Sequence, residues 1–162
     1  MRGAAIAAGL LLACLAFALA FVPRRTAMAA CGTAAAAVIA TYFLLAIPPV
    51  EIAFAGCWIS LAIAALSVYW PAAAQSRGWL CLFFAANAGI WAGLVLRTES
   101  PPTALLPVIA VLLLVIPARY CVGRGWAIAP RVVTSWLLAV ALLVGAIPHL
   151  IVHPGYVPDH RE

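Results

Sequence analysis

The sequence predicts an all-α fold, a polytopic integral membrane bundle of about six transmembrane helices in one transmembrane domain, with almost no soluble part. Three observations carry this expectation. Of 162 residues, 68% are hydrophobic and 8% charged, whereas a soluble domain has roughly 45–50% apolar and about 25% charged residues. Mean hydropathy is +1.18, and such a chain folded in water would expose large contiguous apolar patches and aggregate. The apolar residues also fall into six runs, each near the roughly 17–25 residues a helix needs to cross a bilayer.

The runs are closed by Pro and Arg. Proline has no N–H for the helical ladder and clashes with the preceding turn, so run 4–22 ends at Pro23, followed by Arg24 and Arg25. Run 27–47 stops at Pro48 and Pro49, with Glu51 just beyond, and run 52–70 stops at Pro71. Run 79–96 gives way to Arg97 and a polar stretch reaching Pro102. Run 103–120 is the least regular, with Pro107 in its first turn and Pro117 in its last, and run 132–151 follows the longest break. Residues 1–20, with Arg2, an apolar stretch and Ala18-Leu19-Ala20, share features with a signal peptide. The arginines that follow favour a retained helix.

Charge sets the expected orientation. The first, third and fifth breaks hold Arg24, Arg25, Arg77, Arg119, Arg124 and Arg131 and no acid. The opposite side holds Arg2, Arg97 and Arg161 with Glu51, Glu99, Asp159 and Glu162. Six arginines against three predict that the first group is cytoplasmic and both termini face outward, into the periplasm. Tyr69, Trp70, Trp79, Tyr120 and Trp126 fall at the arginine-rich boundary. All nine basic residues are Arg and Ala is abundant, which reads as a GC-rich, bacterial coding sequence and hence an inner membrane. The arginines are scattered, as topology requires, and nucleic acid is not an expected partner.

A repeat is legible. Val22-Pro23, Trp70-Pro71 and Ile116-Pro117 are spaced by 48 and then 46 residues, and Arg77-Gly78-Trp79 recurs as Arg124-Gly125-Trp126 after 47. This reads either as three tandem helical hairpins or as the Pro, Arg and Trp that any polytopic protein places at helix ends.

Candidate functional residues are few. An ionisable group at the centre of a membrane helix costs roughly 2.5–3.5 kcal/mol on insertion scales and usually marks function, yet the centres of all six runs contain none. Asn87 is the most polar residue near a span centre, and Gly89 and Gly93 beside it form a GxxxG pair; both suit helix packing or contact with a solute. Gly9/Ala13 and Gly32/Ala36/Ala40 are further small-residue ladders. Glu51 and Arg97 are expected at an outer vestibule. Arg119, Arg124, Trp126 and Arg131 are expected along the lipid interface, near anionic headgroups. His149 and His153 have a spacing that suits a metal on a helix, but Pro148 and Pro154 disturb it, and no metal site is expected. The five cysteines form no CxxC pair, so neither a disulfide framework nor zinc is indicated.

No phosphate-binding loop, dinucleotide glycine pattern or Ser/His/Asp grouping is present. The expected function is therefore non-catalytic and cofactor-free: an accessory or structural subunit of a larger inner-membrane complex. Its partners would be membrane lipids and other transmembrane subunits or further copies of itself. The alternative is a small permease or substrate-binding membrane component for an uncharged or hydrophobic solute. With six helices in 162 residues and small residues along the first, the chain resembles in size and texture the vitamin-binding components of energy-coupling transporters. That resemblance implies cytoplasmic termini, against the arginine count.

Overall fold

The computed structural model describes residues 3–46, 48–69 and 78–146, the last three by backbone alone. The described chain forms α1 (Gly3–Leu19), α2 (Arg24–Leu44), α3 (Val50–Ser67), α4 (Gly78–Glu99), α5 (Pro102–Gly123) and α6 (Ile128–Ala146), with no strand among these residues. The fold is thus an all-α bundle. Helices α2 to α5 are long and apolar enough to cross a membrane, while α1 and Ile128–Leu143 of α6 are shorter apolar helices; this is consistent with a multi-pass membrane protein. His149, His153 and the end of the last expected span lie outside the described residues.

The irregularity of α5 has a local cause. Two 3₁₀ turns, Pro102–Ala104 and Val111–Leu114, alternate with the α-helical stretches Leu105–Ala110 and Val115–Gly123. A helical proline leaves the carbonyl four residues earlier without its donor and crowds it. For Pro107 and Pro117 those carbonyls belong to Thr103 and Leu113, and each falls within one of the 3₁₀ turns. The tighter i→i+3 pattern keeps the backbone bonded without breaking the span.

The C-terminus of α5 is closed by backbone alone. Gly125 has φ +84°, a left-handed conformation that costs glycine little. Its N–H donates to the Val122 carbonyl at 3.1 Å and the Trp126 N–H to Cys121 at 2.8 Å, the paired bonds of a Schellman motif. The chain then reverses into α6.

The most apolar helix sits at the centre. Apart from Cys14, α1 is built entirely of Gly, Ala, Leu, Ile and Phe, and a helix apolar on every side belongs inside. It contacts all five other helices, which close around it in the order α3, α4, α2, α5, α6 and back to α3. Leu11, Leu12, Cys14 and Ala16 are fully buried there. Chain neighbours are not always the main packing partners: α2 lies chiefly against α4 and barely touches α1. The closest unit of packing is therefore not the chain-order hairpin suggested by the repeated tripeptide.

The outside of the bundle is as apolar as its inside. Phe43, Leu44, Ile59, Leu106, Ile116 and Leu142 are all more than half exposed, on a scale that marks contact with something other than water. On α5, Leu105, Val108, Leu112 and Val115 face inward at helical spacing while Leu106, Leu113 and Ile116 face out.

This layout makes burial rather than hydrophobicity the determinant of mutational cost. Leu12→Ala, at 0% exposure, should lower stability by about 2–5 kcal/mol through the cavity it leaves. Leu44→Ala, at 80% exposure, should change it by no more than about 0.5 kcal/mol. Unfolding in detergent micelles measures both.

Candidate functional site

Three polar side chains near the middle of the bundle, Ser60, Asn87 and Trp91, form a cluster on the seam between α3 and α4. The Asn87 side-chain amide donates to Ser60 Oγ at 2.8 Å, and Trp91 Nε1–H donates to Asn87 Oδ1 at 3.2 Å. Asn87 and Trp91 are four residues apart on α4, so they share a face. Ser60 and Gly56 share a face of α3 in the same way, and the helices run antiparallel. A Cβ on Gly56 would collide with the Trp91 indole ring, so the missing side chain makes room for the ring, and Trp91 in turn delivers its N–H to Asn87. Among the described residues no buried side-chain nitrogen or oxygen lacks a partner. The arrangement can hold two helices in register.

The opposite side of α4 carries the glycine pair. Residues two apart on an α-helix lie about 200° apart around its axis, so Gly89 and Gly93 face away from Asn87 and Trp91, towards α2. A Cβ on Gly89 would lie 2.5 Å from the Ala34 carbonyl oxygen and 2.7 Å from Ala37 Cβ; one on Gly93 would lie 2.7 Å from the Val38 oxygen and 2.9 Å from Thr41 Cβ. Both glycines are thus placed against the backbone of a neighbouring helix within the chain. The matching stripe on α2, Ala27, Ala30, Ala34, Val38 and Thr41, is buried. The ladder Gly32, Ala36 and Ala40 lies on the other side of α2 and is exposed.

The charged candidates divide by end of the bundle. Glu51, in the first turn of α3, is exposed. Arg97, in the last turn of α4, donates through Nη1 to the Leu45 carbonyl at the end of α2. No ion pair joins it to Glu51 among the described residues. The reason is that the last carbonyls of a helix have no intrahelical donor and carry its negative dipole end, so the guanidinium is drawn to α2. Tyr42 of α2 reinforces this corner by donating its hydroxyl to the Ser100 carbonyl at 3.0 Å.

Arg119 likewise reaches the end of another helix. Half-buried in α5, it donates through Nη1 to the carbonyls of Val22 and, at 3.4 Å, Leu19, where α1 ends. Arg124, Trp126 and Arg131 stay on the outside. The Arg124 guanidinium lies 5.0 Å from the centroid of the Tyr120 ring and that of Arg131 lies 5.5 Å from Phe21. The Tyr69 hydroxyl donates to the Arg131 carbonyl at 3.1 Å, tying α3 to the start of α6.

Sequence reasoning missed Gly56, Ser60 and Trp91. The available signal was a pair of four-residue spacings, one small pair on α3 and one polar–aromatic pair on α4. Their mutual facing depends on tertiary register.

Two substitutions separate the faces of α4. Asn87→Ala should lower stability by roughly 1–2 kcal/mol by leaving Ser60 and Trp91 without their partner. Gly89→Ala should cost about 1–3 kcal/mol by overpacking against α2, and it should loosen α2 while leaving the α3–α4 seam intact. Crosslinking between engineered cysteine pairs at each seam, read beside thermal unfolding, checks both outcomes.

No protein-family model, curated protein or solved structure matches the chain, so a reading of its function rests on the geometry above.

Proposed function

We propose that the chain is a non-catalytic integral membrane protein, an accessory or structural subunit of a larger membrane complex. The observation that carries this reading is the position of α1: an uncharged apolar helix occupies the axis of the bundle, where a carrier or channel for a polar solute needs a wettable path. The mid-bundle polar groups Ser60, Asn87 and Trp91 bond one another, which supports a fastening role. Glu51 and Arg97 sit at helix ends, and no arginine or acid occupies the middle of a described helix. We further infer a bacterial inner membrane, with the arginine-rich end cytoplasmic and both termini outside.

A subunit needs a lateral surface for its neighbours. Gly32 offers a clean probe of one, because a Cβ there meets nothing within 4 Å among the described residues and Ala36 and Ala40 lie exposed on the same side. Small residues let another transmembrane helix approach closely. Gly32→Leu should leave the fold intact, since leucine is a better helix former than glycine, yet it should block such an approach.

The experiment is purification in mild detergent followed by mass spectrometry of the intact assembly. The expected result is a stoichiometric membrane partner, or a second copy, that Gly32→Leu releases without lowering thermal stability. A monomeric wild type that retains a small molecule and no protein would overturn the subunit reading in favour of a carrier for an uncharged or hydrophobic solute.

A further inference from the structure

The end of the bundle where α1 finishes carries every described arginine except Arg97. The contacts of Arg119 with Leu19 and Val22, of Arg131 with Phe21, and of Tyr69 with Arg131 bring the α1–α2 junction, the end of α3 and the α5–α6 turn to one end. Arg24 and Arg25 start α2 there and are exposed. The two described acids, Glu51 and Glu99, are at the opposite end. Tyr69, Trp79, Tyr120 and Trp126 are each more than half exposed at the arginine end, forming a belt of the ring types that settle at a membrane–water boundary.

The arginines of this end are not equivalent. Arg119 is spent on the carbonyls that finish α1. Arg124 and Arg131 are exposed, and among the described residues each guanidinium is held over a ring rather than bonded to an acceptor. A ring steadies the cation from one face and leaves the N–H groups at its edge unspent. A planar fork of N–H donors suits the paired oxygens of a phosphate. Steadied forks, an end with no acid among the described residues and a flanking aromatic belt are complementary to an anionic headgroup layer.

We propose that this end binds the headgroups of anionic phospholipids, with Arg124 and Arg131 as the anchoring residues, Arg24 and Arg25 adding attraction, and Arg119 taking no part. The interaction is independent of the subunit reading, since it concerns the lipid around the bundle rather than a protein beside it.

The test titrates the purified full-length protein, in neutral-detergent micelles, with phosphatidylglycerol or with phosphatidylcholine and follows thermal unfolding. Phosphatidylglycerol should raise the melting temperature and phosphatidylcholine should not. The increment should shrink as salt rises from about 50 to about 500 mM, because exposed charges are screened. In Arg124→Gln/Arg131→Gln the half-saturating phosphatidylglycerol fraction should rise at least about tenfold, given an attraction on the order of 1 kcal/mol for each arginine near a lipid surface. Arg119→Gln should lower the starting melting temperature while keeping the phosphatidylglycerol increment. Equal shifts with both lipids, an increment insensitive to salt, or an equal shift with inorganic phosphate alone would overturn the proposal. An increment that survives in a folded double variant would remove Arg124 and Arg131 from the site. The salt series on the wild type keeps the test decisive if the double variant does not fold.

Discussion

Within hydrocarbon no water is present to satisfy a polar group, so every N–H, carbonyl and hydroxyl at that depth must find its partner inside the protein. Much of this structure can be traced to that constraint. Thr134, fully buried, returns its hydroxyl to the Pro130 carbonyl at 2.6 Å, and Ser67 and Thr98 bond carbonyls of their own helices. Where proline removes donors in α5, the chain tightens into 3₁₀ turns rather than opening. Where α1 and α2 end, Arg119 and Arg97 reach across from other helices to the exposed carbonyls. Asn87 keeps its amide by sharing it between Ser60 and Trp91.

Once polar groups are satisfied, close approach decides which helices meet. Lipid tails are as apolar as leucine, so helices gain little by burying large side chains and more by fitting backbones together. Helix α4 does this on two sides, with Gly89 and Gly93 against α2 and with Trp91 lying over Gly56 of α3. It thereby joins α2 to the rest of the bundle. The described interior is filled by packing, with α1 in contact with all five other helices. Among the described residues the two ends differ sharply in charge.

Much of the fold was legible in the sequence because the features that define it are local. Apolar runs of bilayer length and the prolines between them place the helices within a few residues, and the irregularity of α5 follows from Pro107 and Pro117. The Asn87 and GxxxG signals pointed to positions that the structure puts on two helix seams. What could not be read was which helix each feature would meet. Gly32/Ala36/Ala40 and Gly89/Gly93 look alike as sequence, yet the first faces out and the second lies against a backbone, a distinction set by rotation within the bundle. Arg119 and Arg124 sit five residues apart in the same arginine-rich stretch, but only the first reaches the end of α1, because reach depends on where α1 stops in space. The central position of α1 was hinted at by its lack of a polar face, although the same composition suits a lipid-exposed helix.

The central claim is that α1 fills a dry bundle axis, and the thiol of Cys14, fully buried in α1, reports on it directly. In a variant that keeps Cys14 and replaces the other four cysteines with alanine, a water-soluble maleimide should fail to label the folded protein in membranes and should label it fully after denaturation. A cysteine at exposed Gly123 in the same background provides the positive control. Rapid labelling of Cys14 in the folded protein would mean that water reaches the axis, and the account of α1 as a packed core would be wrong.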